Sequence, residues 1–167
     1  MKTNEKEFLS LIEDHKGLIH KVSRMYMDEA EDREDLFQEI ILQLWKSYGS
    51  FKGESKVSTW MYRVALNTSL TFFKKDKKKP DNIRMHHKMD VKDDNEISHK
   101  ETQLDYFYKA VHTLNPVEKA LIFLFLEGQS HKEIGNNLGI TEVNARVKLN
   151  RTKDKLQEII KQQGYEF

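Results

Sequence analysis

The sequence predicts an all-α fold of two small helical domains joined by a flexible, charged linker. Three observations carry that expectation. Glycine (7) and proline (2) are scarce among the 167 residues, too few for the turn-rich layout of a sandwich or barrel. Apolar residues recur at helical spacing on both sides of the chain's middle. Between the two halves, residues 77–103 are charged and carry no sustained apolar stripe. Such a stretch buries too little surface to offset the entropy of ordering it. The expected layout is a first domain over residues 1–76, the linker over 77–103 and a second domain over 104–167.

Composition narrows the function classes. The chain has 28 basic and 27 acidic residues and is 38% hydrophobic, too apolar for a disordered tail and too polar for a membrane protein. With no cysteine, disulfides, thiolate metal sites and a cysteine nucleophile are excluded. No apolar run approaches the roughly 18–20 residues of a spanning helix. The polar start, Met1 to Glu7, lacks the layout of a signal peptide. The expectation is a soluble, cytoplasmic protein with no membrane insertion, metal or cofactor.

In the first domain, Phe8, Leu11, Ile12, Leu18, Ile19, Val22 and Met25 repeat at helical spacing, with a bend expected at Gly17. A second helix is expected to start near Asp32 as N-cap, with Glu34 and Asp35 in its first turn, where the helix dipole favours acids. Its apolar stripe is Leu36, Phe37, Ile40, Ile41, Leu44, Trp45 and Tyr48. Its polar face is Glu34, Gln38, Glu39, Gln43 and Lys46, which by composition alone reads as solvated surface. After a break over Gly49 to Gly53, a third helix runs from about Ser58 to Phe73. Its polar positions are Lys56, Ser58, Thr59, Arg63, Asn67, Thr68 and Thr71, followed by Lys74 and Lys75. Small hydroxyls, an amide and cations beside aromatic rings suit single-stranded nucleic acid, whose bases stack and whose phosphates pair with Lys and Arg. Trp60 and Tyr62 fit a hydrophobic core more readily than a base platform.

In the second domain, Leu104, Phe107, Tyr108, Val111 and Leu114 make one amphipathic helix. Asn115-Pro116-Val117-Glu118 is a helix start signal, with a cap, a proline at the first position and an acid. The apolar stretch that follows should be buried and stop at Gly128. Ser130-His131-Lys132-Glu133 is a capping box opening a short helix, with Ile134 and Leu138 inward and Gly139 as the turn. Ile140 should plug the core. Thr141 caps a longer helix that turns Ala145, Leu149, Thr152 and Leu156 inward and Asn144, Arg146, Val147, Lys148, Asn150 and Arg151 outward. A short helix, a glycine turn and a longer helix form a helix-turn-helix, whose second helix lies in the major groove. Arg reads guanine, Asn reads adenine and Val147 can touch a thymine methyl.

These pieces, from about Phe8 to Ile160, together resemble bacterial sigma factors of the extracytoplasmic-function (ECF) group. Asp35-Leu36-Phe37-Gln38-Glu39-Ile40 through Leu44-Trp45-Lys46-Ser47-Tyr48 is similar to that family's polymerase-binding helix. Phe51 through Thr68 is similar to its minus-ten-reading segment. Leu114 through Glu118, then Ser130 through Ile134 and Leu138 through Glu142, are similar to its minus-thirty-five-reading domain. The resemblance implies a sigma region 2-like and a region 4-like domain in a transcription-initiation factor that is not an enzyme. It implies that Asp35, Leu36, Gln38, Glu39, Leu42, Gln43 and Lys46 bind core RNA polymerase at the clamp helices of its largest subunit. The flap of the second-largest subunit would be a further contact. Ser55, Lys56, Val57, Arg63, Asn67, Lys74 and Lys75 would hold the melted minus-ten strand, where flipping a base costs a few kcal/mol. Lys132, Thr141, Asn144, Arg146, Val147, Lys148, Asn150 and Arg151 would engage the minus-thirty-five duplex. Other implied partners are promoter DNA and an anti-sigma factor or other recruiter, with the free chain monomeric. Val57 and Val147 depart from the family, where a bulkier residue and a serine are common; the departures bear on the base pocket and the upstream preference.

A net charge of +1 predicts modest affinity for DNA without polymerase, because non-specific binding grows with the number of phosphates neutralised. Three alternatives stand beside this reading, one of them a sigma-like protein repurposed to bind polymerase under another recruiter. An ordinary helix-turn-helix regulator would dimerise and bind a palindrome with half-sites about one helical turn apart. A metal-dependent enzyme could use His86, His87, Asp90, Asp93 and Asp94, but these lie in the linker, where nothing preorganises them.

Overall fold

The computed structural model describes residues 2–77 and 99–164, with side chains described over 4–72 and 103–164. Among the described residues there are seven α-helices and no strand. They belong to two compact units, Met1–Lys77 and Lys78–Phe167.

In the first unit, α1 (Lys2–Tyr26), α2 (Ala30–Tyr48) and α3 (Val57–Lys77) each pack against the other two. The apolar stripes meet in one core: Ile19 and Val22 of α1, Leu36, Ile40 and Leu44 of α2, and Met61 and Ala65 of α3 are buried. A four-residue step keeps the α2 residues on one face. Beside them an aromatic chain links the helices to the α2–α3 loop. Phe8 lies 5.0 Å from Trp45 and 5.4 Å from Tyr48 between ring centroids, and Trp60 lies 4.9 Å from Phe51.

Two local expectations are corrected. No bend forms at Gly17, because α1 runs through it unbroken. Packing of the flanking Ile19 and Val22 outweighs the roughly 1 kcal/mol that a helical glycine costs. The cap of α2 is Glu29, in extended conformation and without a side-chain cap bond, so Asp32 falls inside the first turn. The preceding turn is held instead by Arg33, whose guanidinium donates to the carbonyls of Met27 at 2.9 Å and Asp28 at 2.6 Å.

In the second unit, α7 (Glu142–Gln162) packs against α4 (His99–His112), α5 (Pro116–Leu126) and α6 (His131–Leu138). Its Ala145, Leu149, Thr152 and Leu156 are all buried, as their spacing predicts. They meet Val111 and Leu114 of α4, Ala120 to Leu124 of α5, and Ile134 of α6 in one core. α4 begins at His99, so it takes in the end of the stretch assigned to the linker. The rest of that stretch, residues 78–98, lies outside the described residues. The α5 expectation holds only for its middle: Val117, Phe125 and Leu126 are exposed, whereas Lys119 is buried. Leu138 and Ile140 are half-buried rather than enclosed. Exposed Phe125 is covered on one face by Lys153, whose Nζ sits 4.2 Å from the ring centroid, a favourable cation–π placement. Lys155 also ties α7 to α5, donating to Glu118 Oε1 at 3.1 Å.

Candidate nucleic-acid interfaces

The second unit sets its helix starts locally. Asn115 Oδ1 accepts from the Glu118 N–H at 2.8 Å, and Glu118 Oε1 accepts from the Asn115 N–H at 2.9 Å. Ser130 and Glu133 make the same reciprocal pair. Thr141 Oγ1 accepts from the Asn144 N–H at 3.1 Å. Each cap satisfies N–H groups that a helix start leaves without partners.

Between α6 and α7 the chain turns sharply. Gly139 has φ of 72°, a left-handed conformation that suits glycine. Its N–H donates to the Gly135 carbonyl, as does the Ile140 N–H at 2.9 Å. Gly135 allows the return: a Cβ there would sit 2.7 Å from the Ile140 carbonyl oxygen and 3.3 Å from that of Thr141. The result is a tight helix-turn-helix in which α7 buries one face.

The opposite face of α7 is open. Asn144, Arg146, Val147, Lys148, Asn150 and Arg151 are all exposed, and Lys132 of α6 is exposed as well. Thr141 has committed its oxygen to the cap and keeps its hydrogen to donate. Sequence reasoning missed Val143, which is 58% exposed and one turn before Val147. Its place just after the cap was the available signal.

In the first unit, Arg63 and Asn67 project from the exposed side of α3, Lys56 is exposed, and Ser55 and Val57 are half-buried at the start of the helix. Lys74 and Lys75 fall in α3, but their side chains lie outside the described residues. Thr68 does not belong to the polar face: it is buried, and its hydroxyl donates to the Val64 carbonyl at 2.7 Å. Thr71 is exposed, but its hydroxyl donates to the Asn67 carbonyl at 3.0 Å. Trp60 packs in the aromatic chain and Tyr62 is buried, which favours their core reading.

On α2, Asp35, Gln38, Leu42 and Lys46 form an exposed stripe. Glu39 and Gln43 lie to one side, joined by a 3.0 Å hydrogen bond. They share a groove of about 340 Å³ with Asn67 and Thr71. Leu36 must be corrected. It is 0% exposed and anchors α2 in the core, so it offers nothing to a docking partner. Trp45, counted with the core stripe, is 44% exposed and continues an apolar patch with Leu9 and with Leu42, itself 43% exposed. A helix wheel misses this because α1 covers only part of that side. Among the described residues no cluster of His, Asp and Glu could hold a metal, and His86, His87, Asp90, Asp93 and Asp94 lie outside them. No helix among the described residues is long and apolar enough to cross a membrane.

Two family models match this chain in order. Sigma-70 region 2 covers residues 11–79 and Sigma-70, region 4 covers residues 104–156. ECF sigma factor SigM of Mycobacterium tuberculosis is 22% identical over 92% of this chain and 76% of its own length. The ECF sigma-E factor of Haemophilus influenzae is 24% identical over 94% of this chain and 89% of its own length. The chain belongs to the ECF sigma-factor family. ECF sigma factor SigG of M. tuberculosis is 45% identical, but over 29% of this chain and 13% of SigG. The fold of this sigma factor is shared with the sigma factor RpoE of Bartonella quintana, solved with the anti-sigma factor NepR. That likeness has a TM-score of 0.68 and 18% identity, over 96% of this chain and 98% of RpoE. It is also shared with CnrH, solved with the cytosolic domain of CnrY, at a TM-score of 0.65 and 15% identity, over 94% of this chain and 89% of CnrH.

Proposed function

We propose that this sigma factor binds core RNA polymerase and directs promoter-specific transcription initiation in the cytoplasm. The observation that carries the reading is the open face of α7, where Arg146, Asn150 and Arg151 stand exposed on a capped, glycine-turned helix-turn-helix. That is the placement from which a recognition helix reaches base edges in the major groove.

The remaining roles follow the chemistry of each surface. The exposed α2 stripe of Asp35, Gln38, Leu42 and Lys46 docks on the clamp helices of the largest polymerase subunit, with Glu39 and Gln43 at its margin. The second unit meets the flap of the second-largest subunit. Asn67 and Arg63 line the path of the melted minus-ten strand, the segment Ser55 to Val57 holds a flipped base, and Lys56, Lys74 and Lys75 bind phosphate. Arg146, Val147, Asn150 and Arg151 read the minus-thirty-five duplex, with Asn144 beside them. Lys132, Thr141 and Lys148 contact its phosphates. The free chain is a monomer, and an anti-sigma factor or other recruiter controls its access to polymerase. RpoE was solved with the anti-sigma factor NepR, and CnrH with the cytosolic domain of CnrY.

Run-off transcription tests this reading, using core RNA polymerase with and without the chain on fragmented DNA from the source genome. The expected result is new discrete transcripts that vanish with Arg146→Ala or Asn67→Ala. No binding to core polymerase would overturn the reading and put a stand-alone helix-turn-helix regulator in its place.

A further inference from the structure

α7 carries an apolar feature that neither the fold nor the charge of its outer face explains. Val143 is 58% exposed and Val147 is 38% exposed, one turn apart at the start of the helix. Neither belongs to the buried set of Ala145, Leu149, Thr152 and Leu156. Exposed β-branched residues also lower helix propensity. Around them stand Asn144, Arg146, Asn150 and Arg151, all exposed. The two valines are thus an apolar step in a polar face that already carries base-reading and phosphate-binding chemistry.

We propose that Val143 and Val147 act as a pair that reads thymine 5-methyl groups in the upstream promoter element. This rests on the reading of α7 as the minus-thirty-five recognition helix. The thymine methyl is the apolar group that base edges present in the major groove, and a valine contacts it without a hydrogen bond. Residues four apart rise about 6 Å along a helix. Base pairs rise about 3.4 Å, so the pair spans methyls on adjacent or next-but-one base pairs. Placement supports the leading role of Val143, because a recognition helix meets base edges with its N-terminal residues. Asp154 is exposed further along α7, and its charge would be repelled by phosphate, so the contact face ends before it. At position 147 a serine would donate and accept hydrogen bonds. Valine does neither, so the preference shifts from polar readout toward methyl contact.

The test uses holoenzyme assembled from the full chain and core RNA polymerase. A promoter library randomised in its upstream region is first selected for transcription. Each thymine of the selected element is then replaced by deoxyuridine, which keeps every hydrogen-bonding edge and loses only the methyl. Two thymines, adjacent or one pair apart, should each weaken transcription about fourfold when replaced, the worth of one buried methyl. The Val143→Ala, Val147→Ala double variant should be weaker on the thymine template and indifferent to deoxyuridine. Its melting temperature should be no lower than the parent's, since both side chains are exposed and alanine is the better helix former. Transcription that ignores deoxyuridine throughout, or a double variant that stays as sensitive as the parent, would overturn the proposal while leaving the sigma reading standing. A chain that gives core polymerase no promoter activity overturns both.

Discussion

Gly135 offers a sharp test of how the helix-turn-helix is built. Replacing it by alanine puts a Cβ 2.7 Å from the Ile140 carbonyl oxygen, with the Thr141 carbonyl carbon and oxygen at 3.3 Å. All three atoms are backbone, and Ile140 is held by the bond from its own N–H to the Gly135 carbonyl at 2.9 Å, so the neighbour cannot swing aside. Alanine gains about 1 kcal/mol over glycine inside a helix. Overpacking against fixed atoms costs about 2–3 kcal/mol. The net expectation is a loss of about 1–2 kcal/mol, or a melting temperature lower by about 5–15 °C for a unit of this size. Gly17→Ala is the control of opposite sign: it lies inside α1, and nothing stands within 4 Å of its Cβ. That variant should gain about 0.5–1 kcal/mol. Far-ultraviolet circular dichroism follows Gly135→Ala. Tryptophan fluorescence follows Gly17→Ala, because Trp45 and Trp60 both lie in the first unit. A Gly135→Ala protein that melts at or above the parent temperature would refute the close approach as the reason for glycine.

Four further outcomes are expected. Leu36→Ala should cost about 2–5 kcal/mol as a core truncation. Leu42→Asp should leave thermal melting almost unchanged and abolish capture by immobilised core polymerase; equal behaviour of the two in both assays would contradict the division of α2 into a buried and a docking face. Thr141→Ala removes the bond to the Asn144 N–H and should cost about 1 kcal/mol in urea denaturation. Without that loss, the cap would be shown to contribute little. Burial raises the Tyr26 hydroxyl well above its usual value of 10.0. The unfolded chain therefore releases this proton first, so stability present below about pH 10 falls as pH rises further. Tyr26→Phe should flatten that loss between about pH 9 and pH 11, and denaturant midpoints at the two values measure it.

What could be read in advance was the local chemistry. Asn115, Ser130 and Thr141 cap their helices because a side chain and an N–H a few residues apart settle the matter between themselves. The inward positions of α7 were legible for a similar reason, since one helix period places Ala145, Leu149, Thr152 and Leu156 on one line. Errors came where a neighbouring helix decides. Trp45 looks like core on a wheel, yet α1 leaves it half in solvent. Phe125 continues the apolar run of α5, yet it stays exposed with Lys153 of α7 over its ring. Thr68 carries a polar group and still goes inside, because the Val64 carbonyl takes up its hydroxyl. Within the candidate interfaces, the charged and amide residues of α7 stood out by type. Val143 did not, since a valine in a sequence announces burial until its surroundings are known.

The caps of the second unit also bear on how quickly the protein becomes usable. Every helix start from α5 onward is set by residues within three positions of one another. α6 and α7 are neighbours along the chain, whereas α5 and α4 reach α7 across intervening helices of the same small unit. Small helical folds of this kind assemble in about microseconds to milliseconds. Ribosomes add about 5–20 residues per second. A helix-turn-helix of this kind is therefore complete almost as soon as α7 has emerged. Under the proposed function, the delay between synthesis and promoter choice then lies in meeting polymerase and not in refolding of α7.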